Sequence, residues 1–386
     1  MDGRTREYLS GRFGDYYRSA TLSLPPEAER REWGHIPFTG GEGTTMVRHQ
    51  SLLDLGDVPD FLARTGPRHT YFSAAAYDDP GAASMSEKGW DGADLVFDLD
   101  ADHLPGVDEA AADYAEMLAA CKEALQNLLD LLRTDFGFEE LEVVFSGGRG
   151  YHVHVRDPGL RDLDSEARRE IVDYVRAIDV DADDLVRTVA VDGTTRRQLC
   201  TDGGWGARVH DRLVSSVAEL REMNEPAALD RLQELDGIGD GRAETILGAV
   251  TRNPEAVRAG NVEVGGPGLR RLLDALATET FRAETAPIDE PVTTDLRRLI
   301  RLPGSIHGGS GLVVRPIEPE AVADFEPLVD AVPERFRGRR IMVNVTEPGP
   351  VPVGADSFTV GEGLESVPEF AGVFLMARGR AEKAPE

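Results

Sequence analysis

Apolar and polar residues alternate in short stretches near both ends of this chain, while its middle third repeats at helical spacing. The clearest strand is the apolar run Ala93-Asp94-Leu95-Val96-Phe97, which ends in Asp98-Leu99-Asp100. Strand side chains alternate faces, so Asp98 and Asp100 share one face while Phe97 and Leu99 turn into a core. A second strand is predicted over Leu141–Phe145, followed by the turn Ser146-Gly147-Gly148-Arg149-Gly150. The stretch Tyr151-His152-Val153-His154-Val155 then alternates like a half-buried strand. Between these strands, residues 108–135 read as a long helix with an acidic opening, carrying Leu118, Leu125, Leu129 and Leu132 on one face.

Residues 1 to about 92 read as short helices, turns and strands with three compact clusters: Arg30-Arg31-Glu32-Trp33, Met46-Val47-Arg48-His49 and Lys88-Gly89-Trp90. From about 160 to 285 Leu, Ala, Arg and Glu dominate, with little strand signal beyond Thr188–Val191. Strands and turns return after 289, through Arg298-Leu299-Ile300-Arg301-Leu302-Pro303-Gly304-Ser305-Ile306-His307. The layout expected is a mixed α/β (α+β) unit formed by residues 1–160 and 286–386, interrupted by a helical insertion at 161–285. No repeat of fixed period is present.

Composition narrows the classes. The 386 residues suffice for one large core or two moderate ones. Acidic residues number 70 against 42 basic, a net charge of −28. Only Lys88, Lys122 and Lys383 are lysines; the remaining basic residues are arginines. An acid-rich, lysine-poor surface is one kept soluble in concentrated salt. Acidic balance ordinarily argues against a nucleic-acid partner, but strong salt already shrinks the counterion-release contribution, so local arginine clusters matter more than global charge. Cys121 and Cys200 are too few for a disulfide framework or a four-thiolate zinc site. No secretion signal and no bilayer-length apolar stretch is present, so a cytoplasmic protein without membrane attachment is expected.

Three segments carry chemistry. Asp98 and Asp100, side by side at a strand end, repel each other unless a cation lies between them, and their oxygens suit Mg²⁺ or Mn²⁺. In the turn 146–150, glycine backbone N–H groups, the Ser146 hydroxyl and the Arg149 fork suit an anion, with His152 aimed toward whatever the turn holds; a plain tight hairpin explains the glycines equally well. Asp295, 197 positions beyond Asp98, leads into Arg297, Arg298, Arg301 and His307. A third carboxylate, an arginine and a histidine there suit a metal-bound triphosphate, and a solvated Arg/Asp loop is the plainer reading.

Together these segments resemble the catalytic small subunit of archaeal-eukaryotic DNA primase. Asp98-Leu99-Asp100 is similar to that family's first motif, Ser146 through His152 to its second, and Thr294-Asp295 through His307 to its third. Arg31-Glu32, Met46 through His49, Lys88-Gly89-Trp90 and Phe374-Leu375-Met376-Ala377-Arg378-Gly379 also resemble familial segments. The resemblance covers most of the chain and is weakest in the helical insertion. It implies a core with antiparallel strands and an attached helical domain. It also implies primer synthesis de novo on single-stranded DNA, a DNA-directed RNA polymerase activity run by two Mg²⁺ or Mn²⁺ ions. Asp98, Asp100 and Asp295 would hold the metals. Ser146, Gly147, Arg149, His152, Arg301 and His307 would hold the nucleoside triphosphate, and Glu32 and Arg48 would lie near nucleotide and template. The partner implied is the primase large subunit, in a heterodimer.

The sequence departs from relatives at two points. Lys often follows the final His in archaeal relatives, whereas Gly308-Gly309-Ser310-Gly311 stands here. A zinc knuckle often separates the first two motifs, but this region offers only His103 and Cys121, so no zinc is expected. A helix-hairpin-helix resemblance lies at Leu235 through Leu247, where Gly237-Ile238-Gly239 would offer N–H groups to a DNA phosphate. An ordinary helix end explains those glycines too. Three rival functions use the same residues: a metal-dependent nuclease or phosphohydrolase, a non-catalytic template-binding subunit, and a repair polymerase of the same superfamily.

Overall fold

The computed structural model describes residues 1–39, 45–104, 113–191, 193–355 and 357–385. Residues 108–112 of the expected long helix, and the His103 side chain, lie outside this description; the helix runs Tyr114–Thr134. Mixed helices and antiparallel sheets make up the molecule, as the α/β reading expects.

The chain divides into two compact units. One comprises Met1–Gln126, Glu139–Val172 and Pro287–Glu386; the other, Asn127–Phe138 and Asp173–Ala286. The helical unit therefore starts later than residue 161 and also takes in residues 127–138. Aromatic packing accounts for the earlier piece: Phe136 stacks on Phe138 at 5.3 Å and meets the Tyr174 ring edge-on at 5.0 Å. An apolar cluster of that kind is too costly to leave exposed.

Two antiparallel sheets dominate the first unit. Strands β1 (Arg31–Ile36), β2 (Val47–Gln50), β3 (His69–Tyr77) and β4 (Trp90–Ala93) join β8 (Leu299–Arg301) in one sheet, ordered β8-β3-β1-β2 with β4 on β3. Strand β3 is central and almost wholly buried, and its small residues Ser73-Ala74-Ala75-Ala76 let its neighbours approach closely. The second sheet is ordered β9-β6-β7-β5, from β5 (Leu95–Asp100), β6 (Leu141–Phe145), β7 (Gly150–Val155) and β9 (Arg315–Ile317). Phe97, Leu99, Val143, Phe145 and Val153 are fully buried and form its core.

Register decides the site. Asp98 stands directly opposite His152, and Asp100 opposite Gly150. Opposed residues in an antiparallel pair project on the same face, so the acidic strand end and the histidine after the glycine turn are neighbours by construction. Gly150 has no alternative there: a Cβ would fall 1.7 Å from the Leu99 carbonyl oxygen.

The helical unit contains helices Gly204–Glu222, Glu225–Gln233, Asp240–Arg252 and Gly266–Glu284. A ribbon pairs Val186–Val191 with Thr194–Leu199, longer than the strand signal in the sequence. In the hairpin before Asp240, Leu235 and Ile238 are buried anchors, Gly237 adopts φ +74°, and Gly239 and Gly241 face open space.

Candidate active site

A cavity of about 320 Å³ opens between the two sheets of the first unit. Asp98, Asp100, Ser146 and His152 line one side; Arg48, Tyr71, Arg298 and Arg301 line the other, with Met46 and Val292 among the remaining wall residues. The cavity therefore sets an acidic wall against an arginine wall.

On the acidic wall, burial pushes the Asp98 carboxyl up to about 7; the neighbouring Asp100 charge adds to this and Arg301 opposes it. His152 Nε2 stands 3.4 Å from Asp98 Oδ1. Burial, aided by Arg301 and Arg298, lowers that imidazole to about 3, so it is neutral near pH 7. Its Nδ1 is buried without a partner among the described residues. Arg149 pairs with Asp102 and lies 3.7 Å from Asp100 Oδ1. Those two carboxylates compete with any other anion for its guanidinium.

The glycine turn and the His307 loop are stitched together. The Ser310 hydroxyl donates to the Gly147 carbonyl and lies 3.2 Å from His307 Nδ1. Gly147 adopts φ +75°, and a Cβ on it would lie 2.6 Å from His307 Cβ, so this position needs glycine twice over. Ser146 Oγ accepts from the Gly148 N–H at 3.3 Å, which orders the turn.

The arginine wall is built on the first sheet. Strand β8 pairs with β3, setting Arg301 opposite Tyr71. Arg301 Nη1 donates to the Tyr71 hydroxyl at 3.3 Å, and its Cζ lies 5.5 Å from the ring centroid. Arg48 Nε donates to Glu32 Oε1 at 3.0 Å, and Glu32 is fully buried.

The structure does not bring Asp295 to this cavity. That residue is exposed, and its carboxylate accepts from the Arg297 N–H at 2.9 Å. Asp289 comes instead: its N–H donates to the Asp98 carbonyl at 2.8 Å, and its charge helps raise the Asp98 carboxyl. The reason is the five-residue helix Glu290–Thr294, which has Asp289 at its head and Asp295 at its tail. Six residues of helical rise separate the two by about 9 Å, so only one of them can sit against β5. The signal available in the sequence was Ile288-Asp289, an apolar residue running into a carboxylate like Phe97-Asp98 on β5; Ile288 is 3 % exposed. Among the described residues, no three His, Cys, Asp or Glu side chains already stand close enough together to hold a metal ion. Tyr71, Arg298 and Met46 line the wall without having been expected in the site. No sequence signal separates Tyr71 from its neighbours; the structure shows it as the one partly exposed residue of a buried strand.

A paired carboxylate facing arginines and a glycine turn defines a site suited to a polyphosphate and a divalent cation. The sequence model of the DNA primase small subunit matches residues 97–319, which contain all of the cavity except Met46, Arg48 and Tyr71. The DNA primase small subunit of Halorubrum lacusprofundi is 66 % identical over 386 residues, covering both chains completely. Those of Haloarcula marismortui and Methanococcoides burtonii are 56 % and 38 % identical, again over the full length of both chains. This chain belongs to the DNA primase small-subunit family. Within the described residues, no helix is long and apolar enough to cross a membrane.

Proposed function

We propose that the chain is the catalytic subunit of a DNA primase, a nucleotidyltransferase that starts chains de novo on single-stranded DNA from nucleoside triphosphates. The observation that carries this reading is the cavity itself, with Asp98 and Asp100 on one wall and Arg301, Arg298 and Arg48 on the other.

The donor set fits Mg²⁺ or Mn²⁺. Two adjacent carboxylates offer hard oxygens, and burial, with the neighbouring Asp100 charge adding to it, raises the Asp98 carboxyl, an effect that a divalent cation there would oppose. Asp98, Asp100 and, from the next segment, Asp289 would hold the ions. Held there, they would supply activation of the attacking 3′-hydroxyl and neutralisation of charge on the leaving pyrophosphate. The protein's own groups bind and orient. The N–H groups of the glycine turn, the Ser146 hydroxyl, Arg301 and the neutral His152 and His307 take the triphosphate, and Arg149 joins by exchanging Asp102 for a phosphate. Tyr71 holds the Arg301 fork in place. A large subunit is the partner proposed, assisting initiation and template binding.

A nuclease needs no triphosphate cradle, and the arginine wall favours synthesis over hydrolysis. The test is a priming assay with labelled nucleotides on circular single-stranded DNA in high salt, with Mg²⁺ or Mn²⁺. Labelled strands that lengthen from nothing support the reading. Shortening of the template, or extension only of ends already present, overturns it in favour of a nuclease or a repair polymerase.

A further inference from the structure

Three lysines occur in this chain, and one of them is sealed behind the arginine wall. Lys88 is fully buried, with its Nζ 3.6 Å from Glu32 Oε2, which is equally buried. The ammonium also donates to the Pro80 carbonyl and lies 5.3 Å from the Tyr77 ring centroid. The other Glu32 oxygen accepts from Arg48 Nε at 3.0 Å and from the His49 N–H at 3.1 Å. His49 adopts φ +59°, a conformation unusual for a residue with a side chain, and the Glu32 carboxylate pins it there. One buried carboxylate thus fixes both the backbone and the guanidinium of β2, the terminal strand of its sheet.

We propose that Lys88 is a positioning residue for nucleotide binding: its buried ammonium secures the Glu32 carboxylate, which in turn holds the Arg48 guanidinium at the cavity wall. This rests on the reading of that cavity as the nucleotide site. A buried carboxylate that loses the buried one of its two cations is costlier to keep charged, and once neutral it is a weaker acceptor for the remaining guanidinium. Arg48 would then lose its anchor without any change at the carboxylates that act on the reacting atoms. Burial lowers the Lys88 ammonium below its ordinary value and the Glu32 charge opposes this, in keeping with the pairing.

The experiment is steady-state extension of a primed template by the full chain, comparing R48M, K88M, E32Q and the double variant E32Q/K88M. R48M, K88M and E32Q are each expected to raise KM for the incoming nucleotide about tenfold, with kcat held within about threefold. The double variant should be no worse than E32Q alone, because both changes break one relay. A raised KM in R48M beside an unchanged KM in K88M overturns the inference and leaves the nucleotide site standing. An unchanged KM in R48M overturns the inference alone, since the nucleotide site stands on Asp98, Asp100 and Arg301 and fails only if R301M also leaves KM unchanged. If K88M does not fold, the double variant, which removes both charges together, carries the test. A KM equal to that of E32Q supports the relay, and a KM several-fold higher overturns it.

Discussion

Two arginines in this protein sit in opposite circumstances. Arg208, in the helical unit, meets Asp130 at 2.6 Å, Asp135 at 3.1 Å and Glu284 at 3.2 Å, so its charge is fully answered by protein. Arg301, in the cavity, has the Tyr71 hydroxyl at 3.3 Å, a buried Nε without a partner, and no carboxylate within ion-pair distance among the described residues. Acids outnumber bases by a wide margin here, so an arginine denied one is not short of candidates. Arg208 is structural, and Arg301 is held ready for an anion that the protein does not supply.

Removing the groups that face that anion should produce the largest effects. D98A and D100A are expected to lower nucleotide incorporation by about a thousandfold or more, the several kcal/mol a catalytic metal site supplies. D289A should join them and D295A should stay within a few-fold of wild type; the reverse order in a priming assay restores Asp295 to the site. R301M is expected to raise KM for nucleotide by about ten- to a hundredfold, as for loss of a charge-assisted hydrogen bond, with little change in melting temperature. R208M should do the opposite, lowering unfolding free energy by about 3 kcal/mol with KM unchanged. Denaturant titration beside kinetics checks both, and parallel behaviour of the two variants would erase the contrast.

A smaller effect is set by pH. The Asp98 carboxyl lies near 7 in the folded protein against an ordinary 3.8, so the folded state holds an extra proton between those values. The Asp98 contribution to the stability of the metal-free protein therefore falls as pH rises from about 4 to 7 and levels off above that, while the buried, neutral His152 contributes in the opposite sense. In D98N this contribution disappears, and melting curves across the range should show stability falling less, or rising more, with pH than in the wild type. The smallest effect concerns the helical hairpin. Gly239 faces open space, so G239E should change stability by no more than about 0.5 kcal/mol. A loss of single-stranded DNA affinity in that variant then reports a template contact at the hairpin, and unchanged affinity removes it.

The strands that build the site were legible because alternation is a local property. Leu95 through Asp100 shows its two faces without help from the rest of the chain, and so does Tyr151 through Val155. The glycine turn between β6 and β7 was equally plain. What stayed hidden depends on direction in space. Asp289 and Asp295 bracket one short helix; Ile288 hints at the first of them, but the orientation of the helix against β5 is what separates them. Glu32, Arg48 and Lys88 come from three separate segments, and no spacing rule joins them. The limits of the helical unit escaped for the same reason, since Phe136 and Phe138 declare their allegiance only through the Tyr174 ring.

The order in which the cradle's parts leave the ribosome has its own consequence. Arg301 reaches Tyr71 across 230 residues, and Ser310 reaches Gly147 across 163. The whole helical unit is synthesised in between, and β8 and β9 close their sheets only afterwards. Closing such long loops is entropically expensive and slow. A nascent chain halted before residue 299 would carry the acidic strand and the glycine turn without Arg301 facing them or the His307 loop tied to the turn, so the ability to grip a triphosphate arrives late.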